Sequence, residues 1–423
     1  MQSMHICIFE DHLYTNFFPL VYFRPVFDLR CGALTLREKI EALFPRTRVI
    51  LYMRSFLFDY FEVQHPASKI NCLPEGDAWF INGRILADEN LVKLIHQHKN
   101  VSTAYYQQDI IVAAYIKKLD ILRYNQVLQS GVITPSTFKG IPREPLTCRM
   151  VNYHWELMNS TADEIENDFK YVRKFRKQFQ RVNPRQAGVH FVNKKHISIG
   201  KNSSIMPGVV LDASQGPIIL GKNVRIMPNV VIEGPVYIGD DSVIKIGAKI
   251  YHGTSIGNHC KIGGEVESST VLSYSNKQHD GYLGHSYLGS WINIGAGTNT
   301  SDLKNTYGTI KVTINGINID TNSQFVGLIM GDHSKTGITT MFNSGTIVGA
   351  SCNVYGSGFQ PKLLPSFSWG EPGSFREYSL GKSIVTAQRM MQRRNIELTP
   401  AYEQIFRAIF SETENERRSA NIK

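Results

Sequence analysis

The chain has 423 residues, and because one domain averages roughly 150 residues, we expect two or three structural units. Its six cysteines are widely spaced without a C-x-x-C pair, which excludes a disulfide framework and a zinc knuckle. A formal net charge of +10 favours anionic partners in general, which include nucleotides, coenzyme phosphates and nucleic acid, or serves solubility alone, and composition does not choose among these. No apolar run reaches the ~18 residues of a membrane span and no signal-peptide pattern opens the chain, so we expect a cytoplasmic protein that binds neither membrane nor nucleic acid.

Residues 1–155 alternate candidate strands with candidate helices. The segments HICIFED and TRVILYMR have the pattern of short buried strands, whereas TLREKIEALFP and DENLVKLIHQH have helical periodicity. This alternation predicts an α/β domain with a largely parallel sheet.

A linker of residues 156–189 follows and contains a predicted amphipathic helix. Its apolar stripe consists of Ile165, Phe169, Val172, Phe175 and Phe179, and its basic face of Lys170, Arg173, Lys174, Arg176, Lys177 and Arg181. We expect the stripe to pack on the protein itself and the basic face to meet solvent, with binding to a membrane or to RNA as the alternative.

Residues 190–373 repeat an aliphatic residue at every sixth position. The longest unbroken series is Leu220, Ile226, Ile232, Ile238, Ile244, Ile250, Ile256 and Ile262. This period fits neither the roughly 3.6 residues of a helical turn nor the alternation of an isolated strand, and it predicts a left-handed parallel β-helix of hexapeptide repeats. After Gly263 the period becomes irregular, and TIKVTINGINID alternates like an ordinary strand or an extruded loop.

Residues 374–423 form a predicted helical tail. Thr399 supplies an N-cap and Pro400 the first turn of a helix. The apolar face of this helix consists of Tyr402, Ile405, Phe406, Ile409 and Phe410. We expect it to pack against the β-helix or against a neighbouring subunit.

The irregular part of the β-helix contains SNKQHDGYLGHSYLGSWINIGAGTNTSDLKNTYG, residues 275–308. Left-handed β-helices usually associate as trimers, and their ligand sites lie in grooves between subunits where the coils are irregular. We therefore expect a homotrimer with a site at this stretch. The commonest chemistry there is acyl transfer from an acyl-coenzyme A, for which a histidine serves as general base.

The motif His279-x-x-Tyr282-Leu283-Gly284, followed by Asn293-Ile294-Gly295-Ala296-Gly297-Thr298, resembles the acetyltransferase domain of a bifunctional family. Enzymes of that family acetylate glucosamine-1-phosphate and uridylylate the product. The resemblance implies that His279 is the general base, that Tyr282 and Asn293 hold the sugar phosphate, and that Ala296 lies against acetyl-coenzyme A. We place Gly297 and Lys335 on the coenzyme side as well.

The chain departs from that family at the phosphate-binding positions. Where the family carries an upstream Arg and Lys, this sequence offers Tyr251 and either Glu267 or Ser269, and a carboxylate would repel a phosphate. Asp302 replaces the second asparagine of the motif and joins the substrate-binding candidates. Lys277, Lys304 and Lys335 are the substitute cations.

A closer resemblance covers nearly the whole chain. RPVFDLRCGALTLREK, KIGGEV, GLIMGDHSKTGI, MFNSGTIVGASCN and PSFSWG are similar to a bacterial branch of sugar nucleotidyltransferases that carry the same type of β-helix. The resemblance implies sugar-nucleotide biosynthesis, with nucleotidyl transfer from a nucleoside triphosphate such as UTP to a sugar-1-phosphate in the N-terminal half, assisted by Mg²⁺.

The N-terminal half nevertheless lacks the Gly-rich phosphate loop after its first strand. Arg24, Arg30 and Lys39 are our candidates for holding phosphates by charge, and Asp28 for binding Mg²⁺ or orienting an arginine. An internal ion pair between Asp28 and Arg30 is the alternative. Asn82 and Arg84 are weaker candidates for the same cleft.

Two other functions fit parts of the sequence. A non-catalytic trimer that binds sugar nucleotides would explain the missing loop and the missing cations. A β-helix zinc carbonic anhydrase would need three histidine ligands across a subunit interface. The histidines available for it are His252, His259, His279, His285 and His333. Otherwise, we expect His285 and His333 to line the groove or face solvent.

Overall fold

A computed structural model of the chain describes residues 5–45, 47–66, 68–175, 179–180 and 187–422, with the side chains of 172–175 and 179–180 outside the description. The N-terminal half is built on one sheet. In spatial order its strands are Arg143–Pro145, Thr103–Gln107, Ile110–Ile116, Ala78–Asn82, His5–Asp11, Arg48–Tyr52 and Lys69–Ile70. Within this series, only Ile110–Ile116 runs antiparallel to its neighbours. The short strand Val132–Ile133 pairs in parallel with the last two residues of His5–Asp11. The prediction of a largely parallel α/β sheet is confirmed.

The described residues of the N-terminal half form five α-helices, of which two begin at a capping side chain and three do not. They are α1 (Leu36–Leu43), α2 (Phe58–Gln64), α3 (Glu89–Gln97), α4 (Lys118–Ile121) and α5 (Asn125–Gln129), with 3₁₀ turns at His12–Phe17, Val26–Asp28, Ser55–Leu57 and Leu122–Tyr124. Thr35 and Glu38 form a capping box that starts α1, and Asp88 caps α3. A two-residue hairpin, Arg30–Cys31 with Leu34–Thr35, precedes α1.

The helix α6 (His154–Phe175) joins the two halves. Ile165 and Phe169, from the predicted apolar stripe, are buried against Ala33, Leu34, Ile219 and Tyr237. Lys170 is exposed. The side chains of Val172, Arg173, Lys174, Phe175 and Phe179, and all of Arg176, Lys177 and Arg181, lie outside the described residues.

The β-helix has three faces of short parallel strands. The first face contains Ile197–Gly200, Ile218–Leu220, Val236–Ile238, Thr254–Ile256, Thr270–Val271, Tyr287–Leu288, Leu328–Met330, Thr346–Val348 and Leu363–Leu364, with Phe179–Gln180 added antiparallel. The second contains His190–Val192, Val210–Asp212, Val231–Glu233, Lys249–Ile250, Glu265–Glu267 and Tyr282–Gly284, and the pair Asn299–Thr300 with Met341–Phe342 lies beyond it. The third contains Ser204–Ile205, Arg225–Ile226, Val243–Ile244, Lys261–Ile262 and Asn276–Lys277, followed by Lys335–Thr336, Asn353–Val354, Ser368–Glu371 and the antiparallel Ser374–Glu377. A 3₁₀ turn spans Lys194–His196.

The predicted six-residue series forms the interior of this β-helix. Every member from Leu220 to Ile262 is at most 1% exposed and belongs to one continuous apolar cluster. Because each side chain stacks on its equivalent in the next coil, the period of the sequence is the period of the core. The hexapeptide β-helix is therefore confirmed.

The irregular segment after Gly263 contains an extruded hairpin, Lys311–Ile314 paired with Ile317–Asp320. Ile310, Val312 and Ile314 pack in a cluster with Phe17 and Leu20 of the N-terminal half. The hairpin is therefore a contact between the two halves of the chain.

The tail consists of α7 (Leu380–Gln392), α8 (Pro400–Glu412) and α9 (Glu414–Ser419). Thr399 caps α8 through its hydroxyl, which accepts from Tyr402 N at 3.2 Å. Phe406 of α8 lies 4.8 Å from the ring of Phe23 and 4.9 Å from that of His333, so α8 fills the space between the α/β domain and the β-helix. Within the described ranges, no helix has the length and apolar character that crossing a membrane would require.

Candidate functional site

The coil that carries His279 is shorter than the coils before it. Hydrogen bonds join equivalent residues 18 apart, as from Asp240 N to Asn258 Oδ1, but the next step, from Asn258 N to Ser273 Oγ, spans 15 residues. The turn reaches Gly281, whose φ of +125° and contact with a neighbouring carbonyl leave no room for a Cβ atom. His279 is exposed on this turn, so its imidazole is open to ligands.

Four polar side chains beside this turn form one hydrogen-bonded group, which we call the Asp302 cluster: Glu267, Tyr282, His285 and Asp302. The Tyr282 hydroxyl lies 2.9 Å from Asp302 Oδ2 and 3.0 Å from Glu267 Oε2. Since it carries one proton, the hydroxyl donates to one carboxylate at a time. His285 Nδ1 lies 2.8 Å from the same Oδ2 of Asp302, and the His285 ring stacks on Phe325 with centroids 4.9 Å apart.

The cluster fixes the protonation of its members. Burial raises the pKa of the Tyr282 hydroxyl, and the carboxylates of Asp302 and Glu267 raise it further. Burial alone would raise the pKa of Asp302, but the hydrogen bonds from His285 and Tyr282 outweigh that effect and lower it. At neutral pH Asp302 is therefore an ionised acceptor.

The predicted coenzyme residues lie one coil further along. Asn293 forms isolated bridges with the coils on either side. Gly297 N donates to Asp280 O at 2.9 Å, and Ala296 O accepts from Thr339 N at 2.7 Å. The turn of Ala296 and Gly297 is thus stacked on the turn that carries His279, and the structure brings these predicted residues to one corner of the β-helix.

Lys277 lies at this corner, but its ammonium is buried inside the coil and bonded to backbone, which does not support its predicted role as a substrate cation. Its side chain takes an inward position, paired in register with Ile262, and is only 2% exposed. Nζ donates to Gly263 O at 2.8 Å and to His279 O at 3.0 Å. Burial lowers the pKa of Lys277 to about 8. The ammonium therefore ties the backbone on both sides of the His279 turn.

The other two substitute cations are also bonded to backbone. Lys335 Nζ donates to His333 O at 2.7 Å, and burial lowers the pKa of Lys335 to about 8. Lys304 Nζ donates to Thr309 O. Among the described contacts, neither lysine touches the Asp302 cluster.

Three of the four N-terminal phosphate candidates are engaged in ion pairs. Arg24 binds both carboxylate oxygens of Asp332 in the β-helix, with Nη1 2.9 Å from Oδ2. Arg37 Nε lies 2.6 Å from Asp28 Oδ1. Burial would raise the pKa of Asp28, but Arg37 and a nearby histidine lower it to about 2. The partner of Asp28 is therefore Arg37 and not Arg30.

Lys39 belongs to a buried network on α6. Its Nζ atom lies 2.6 Å from Asp168 Oδ1 and 2.7 Å from Glu164 Oε2. Burial lowers the pKa of Lys39, but the two carboxylates outweigh burial and raise it. The structure thus corrects the phosphate-binding role predicted for Arg24, Asp28 and Lys39, because each charge is satisfied inside the protein.

The carboxyl ends of the parallel strands are filled by further ion pairs. Arg84 binds Asp11 with Nη2 to Oδ2 at 2.6 Å, and Asn82 Nδ2 donates to the same Oδ2 at 2.9 Å. Arg54 Nε lies 3.0 Å from Glu10 Oε2. Asn82 and Arg84 are therefore internal residues. A Mg²⁺ ion prefers carboxylate oxygens, and these carboxylates are bound by arginines, so the residues do not fit the metal.

Arg30 is the exception among the four candidates. It lines a cavity of about 280 Å³ where the N-terminal half meets the β-helix and Tyr402 of the tail. Asp28, which is paired with Arg37, lines the same cavity. Burial lowers the pKa of Arg30, but Tyr237, Glu38, Tyr287 and Asp168 outweigh burial and raise it.

The predicted histidine ligands of a zinc enzyme are dispersed. His333 is buried with Nε2 2.8 Å from the Tyr402 hydroxyl, and His285 is bonded to Asp302. In the described part of one chain, no three His, Cys, Asp or Glu side chains converge as a metal-binding group.

Comparison with known families agrees with these two architectures. Residues 6–177 match the family model described as sugar nucleotidyl transferase, and residues 217–245 and 235–267 match bacterial transferase hexapeptide repeats. Each model covers less than half of the chain, so one segment is similar to a sugar nucleotidyl transferase domain and another to transferase hexapeptide repeats. This result confirms the resemblance predicted from the motifs, and both family models describe transferases.

Curated relatives share part of the chain. The bifunctional protein GlmU of Synechococcus sp. strain CC9902 is 30% identical over 147 residues, which are 34% of this chain and 27% of that protein. A bifunctional sugar-1-phosphate nucleotidylyltransferase/acetyltransferase of Sulfurisphaera tokodaii is 32% identical over 97 residues, 22% of this chain and 24% of that protein. The chain thus spans about a quarter of the length of these two relatives.

The chain was also compared with solved structures. A UDP-N-acetylglucosamine acyltransferase of Arabidopsis is 12% identical with a TM-score of 0.25, and the match covers 56% of this chain and 91% of that one. The UDP-N-acetylglucosamine acyltransferase of Campylobacter jejuni is 14% identical with a TM-score of 0.24, covering 52% and 91%.

The sequence predicted His285 only as an alternative zinc ligand or as a residue that lines the groove or faces solvent, and did not predict its pair with Asp302. The available signal was Asp302 itself, because a carboxylate that replaces a motif asparagine needs a hydrogen-bond donor or a cation beside it. The donor is distant in sequence and becomes evident only when the coils are stacked.

Proposed function

We propose that this protein transfers an acetyl group from acetyl-coenzyme A to the amino group of an amino-sugar phosphate or its nucleotide derivative. The supporting observation is that the turn of the exposed His279 leads into Tyr282 of the Asp302 cluster and accepts, through Asp280 O, a hydrogen bond from Gly297 N of the next coil. In this proposal the Asp302 cluster offers groups for a sugar, and the backbone of the Ala296 and Gly297 turn faces the coenzyme.

In this proposal His279 is the general base. It removes a proton from the sugar ammonium or amine as the nitrogen attacks the thioester carbonyl. The new N–C bond forms, the C–S bond breaks, and the coenzyme thiolate leaves and takes up a proton. Backbone N–H groups at the coil corner are suited to polarise the thioester oxygen.

The charges of the Asp302 cluster indicate which part of the acceptor lies against it. Glu267 and Asp302 place carboxylates where a phosphate would be repelled, whereas sugar hydroxyl and ammonium groups would find acceptors. We infer that Tyr282 and Asp302 contact the sugar ring and that the phosphate extends away from them. Glucosamine-1-phosphate in the orientation used by the resembling family is therefore a weaker substrate choice than an amino sugar with its phosphate elsewhere.

The expected homotrimer would complete the site. Ile246 and Ile338 are exposed by 63% and 71%, and Ile338 precedes Thr339, whose N–H donates to Ala296 O. Exposed isoleucines at the corner of the predicted coenzyme residues are suited to burial by a second copy of the chain. We propose that this corner is the intersubunit groove.

Nucleotidyl transfer remains a prediction without a supporting site at the strand ends, because arginines occupy the carboxylates there. The single reaction that the arrangement supports is acyl transfer by the β-helix.

Purified protein with acetyl-coenzyme A and a panel of amino-sugar phosphates and nucleotide amino sugars tests the proposal. We expect release of coenzyme thiol and an acetylated product by mass spectrometry. His279→Ala should lower kcat by about 100-fold or more, the usual contribution of a general base. His252→Ala, an exposed histidine on a nearby coil, is the matched control and should keep full activity.

Gel filtration with light scattering should give the same trimer for both variants, since neither exposed side chain belongs to the aliphatic stack. If wild-type protein releases no thiol with any acceptor while calorimetry detects sugar-nucleotide binding, the protein is a binding protein and the proposed reaction is wrong.

A further inference from the structure

Residues 117–129 form a short helical segment on the N-terminal sheet, made of α4, the 3₁₀ turn Leu122–Tyr124 and α5. Its inner side is held by Ile121, Tyr124 and Leu128, which are at most 6% exposed and belong to one apolar cluster with residues of the sheet. The segment is therefore fixed in place by its own packing. It takes no part in the acyl transfer proposed for the β-helix.

The outer side of this segment is also apolar. Leu119 and Leu122 are 86% and 70% exposed, and their spacing of three residues places them on the same side of a helical turn. Val101 is 54% exposed and lies close to them, because the hydroxyl of the next residue, Ser102, donates to Asp120 Oδ2 at 2.6 Å. We call Val101, Leu119 and Leu122 the apolar patch. Single exposed leucines are common, but grouped apolar side chains that project this far are typical of an interaction surface.

The charge around the apolar patch is predominantly positive. Four exposed cations flank it in the sequence, and they are Lys99, Lys117, Lys118 and Arg123. Arg123 Nη1 lies 3.2 Å from Asp120 Oδ1, so the charge of this arginine is compensated in part. Asp77 accepts from the backbone N–H of Lys118 at 2.9 Å and from the Tyr115 hydroxyl at 2.8 Å. Within the described ranges, the three lysines form no ion pair. The patch therefore matches a partner that is both apolar and anionic.

The surface of an anionic lipid bilayer has both properties. Leucine side chains enter the boundary between headgroups and acyl chains, and lysine stems lie along this boundary with their ammonium groups at the lipid phosphates. Leu119 projects from the protein, so the patch is a protrusion and not a groove. A lipid surface accepts such a protrusion, whereas recognition of a peptide usually requires a groove or a sheet edge on the protein.

We propose that the apolar patch, with its lysines, docks the protein on the surface of an anionic bilayer. The chain would lie on the bilayer without crossing it, which agrees with the lack of a membrane-spanning helix in the described ranges. This proposal revises the sequence-based expectation of a protein that binds no membrane. It does not depend on the reaction at His279.

Co-sedimentation of the full chain with sucrose-loaded vesicles tests the proposal. We expect binding to vesicles that contain about 30% phosphatidylglycerol, and binding weaker by about tenfold or more to pure phosphatidylcholine, because each lysine near an anionic surface adds to the attraction. Raising the salt from about 0.1 M to about 0.5 M should also weaken binding, since the screening length becomes shorter.

Two double variants separate the apolar contribution from the ionic one. Leu119→Ser with Leu122→Ser, and Lys117→Glu with Lys118→Glu, should each lower binding to the phosphatidylglycerol vesicles by about tenfold or more. The matched controls are Val63→Ser, which changes a side chain that is 70% exposed on α2, and Lys195→Glu, which changes an exposed lysine beside the β-helix. Both controls should bind as wild type. Circular dichroism checks that each variant is folded.

The proposal is overturned if wild-type protein does not sediment with phosphatidylglycerol vesicles, or if the leucine double variant sediments as wild type does. In the second case the net charge of +10 alone would account for the attraction. If wild-type protein binds no vesicles and light scattering shows a lower mass for the leucine double variant, the patch is instead a contact between copies of the chain. His279→Ala should sediment as wild type, so failure of the acyl-transfer proposal would leave this one standing.

Discussion

Asp302 and His285 form a dyad that resembles the carboxylate and imidazole of a general-base pair. Their side chains are 12% and 20% exposed, so the pair is partly shielded from water but open to a ligand. His279 is more exposed and has no such orienting carboxylate among the described contacts. We assign proton removal to His279 because its turn lies next to Ala296, and we assign positioning of the acceptor to Asp302 and His285.

Asp302→Asn and His285→Gln test that division of roles. Asp302→Asn removes the charge from two hydrogen bonds, and His285→Gln disrupts one of them. Because a hydrogen bond to a charged group contributes about 1.5–3 kcal/mol, we expect KM for the amino sugar to rise by about tenfold or more while kcat changes less. Steady-state kinetics of thiol release measures both constants. A fall in kcat for His285→Gln as large as that for His279→Ala would instead identify His285 as the base.

At the scale of the element, Lys277 interrupts the aliphatic stack with an ammonium group. Its position is equivalent to Ile262 in the preceding coil, and the hexapeptide pattern alone would place another apolar residue there. The two carbonyls that it binds belong to Gly263 and His279. We interpret Lys277 as a positioning residue that costs stability and fixes the His279 turn.

Lys277→Met should therefore stabilise the protein and lower its activity. The pKa of Lys277 falls from its ordinary value of 10.5 to about 8, which corresponds to a penalty of about 3 kcal/mol for the charged form. After the loss of two hydrogen bonds, we expect a net gain of about 1–3 kcal/mol in unfolding free energy at pH 7. Urea unfolding measures the gain, and thiol release should fall because the His279 turn loosens.

The gain in unfolding free energy of Lys277→Met over wild type should decrease as the pH rises above 8. Below pH 8 both folded and unfolded wild-type chains carry the charge, so the penalty is fully present. Between pH 8 and 10.5 the unfolded state binds more protons, so wild-type stability rises relative to the variant as pH increases. If the difference in unfolding free energy between the variant and wild type stays constant from pH 7 to pH 10.5, Lys277 does not carry a buried charge that destabilises the protein.

The sequence predicted those elements whose pattern is local. The strand HICIFED corresponds to His5–Asp11, the cap at Thr399 starts α8, and the six-residue series is the core of the β-helix. The partners of charged side chains were not predicted, because Lys39 with Asp168 and Arg24 with Asp332 are joined over long distances in the chain. Charge and position along the sequence do not distinguish a cation that awaits phosphate from one that is already paired.

At the scale of the whole molecule, the two halves share their cores. Trp291 and Phe367 of the β-helix lie in one apolar cluster with residues of the N-terminal sheet and of α8. Ser255 Oγ of the β-helix donates to Gly32 O at 2.7 Å, and the Tyr287 hydroxyl is bonded to the backbone of Arg30. The cavity that Arg30 lines lies at this seam, so its geometry depends on both halves being docked.

We expect the chain to unfold in one cooperative transition, and the bidentate pair of Arg24 and Asp332 tests this coupling. Asp332 is fully buried, and Arg24→Met leaves its carboxylate without the guanidinium, which should lower the unfolding free energy by about 3–5 kcal/mol. The double variant Arg24→Met with Asp332→Asn should lose less than the sum of the two single variants, because no uncompensated charge remains. Differential scanning calorimetry of all four proteins measures the effect. Two separate transitions, or a shift confined to one of them, would show that the halves are independent and that the Arg24 pair is only a local contact.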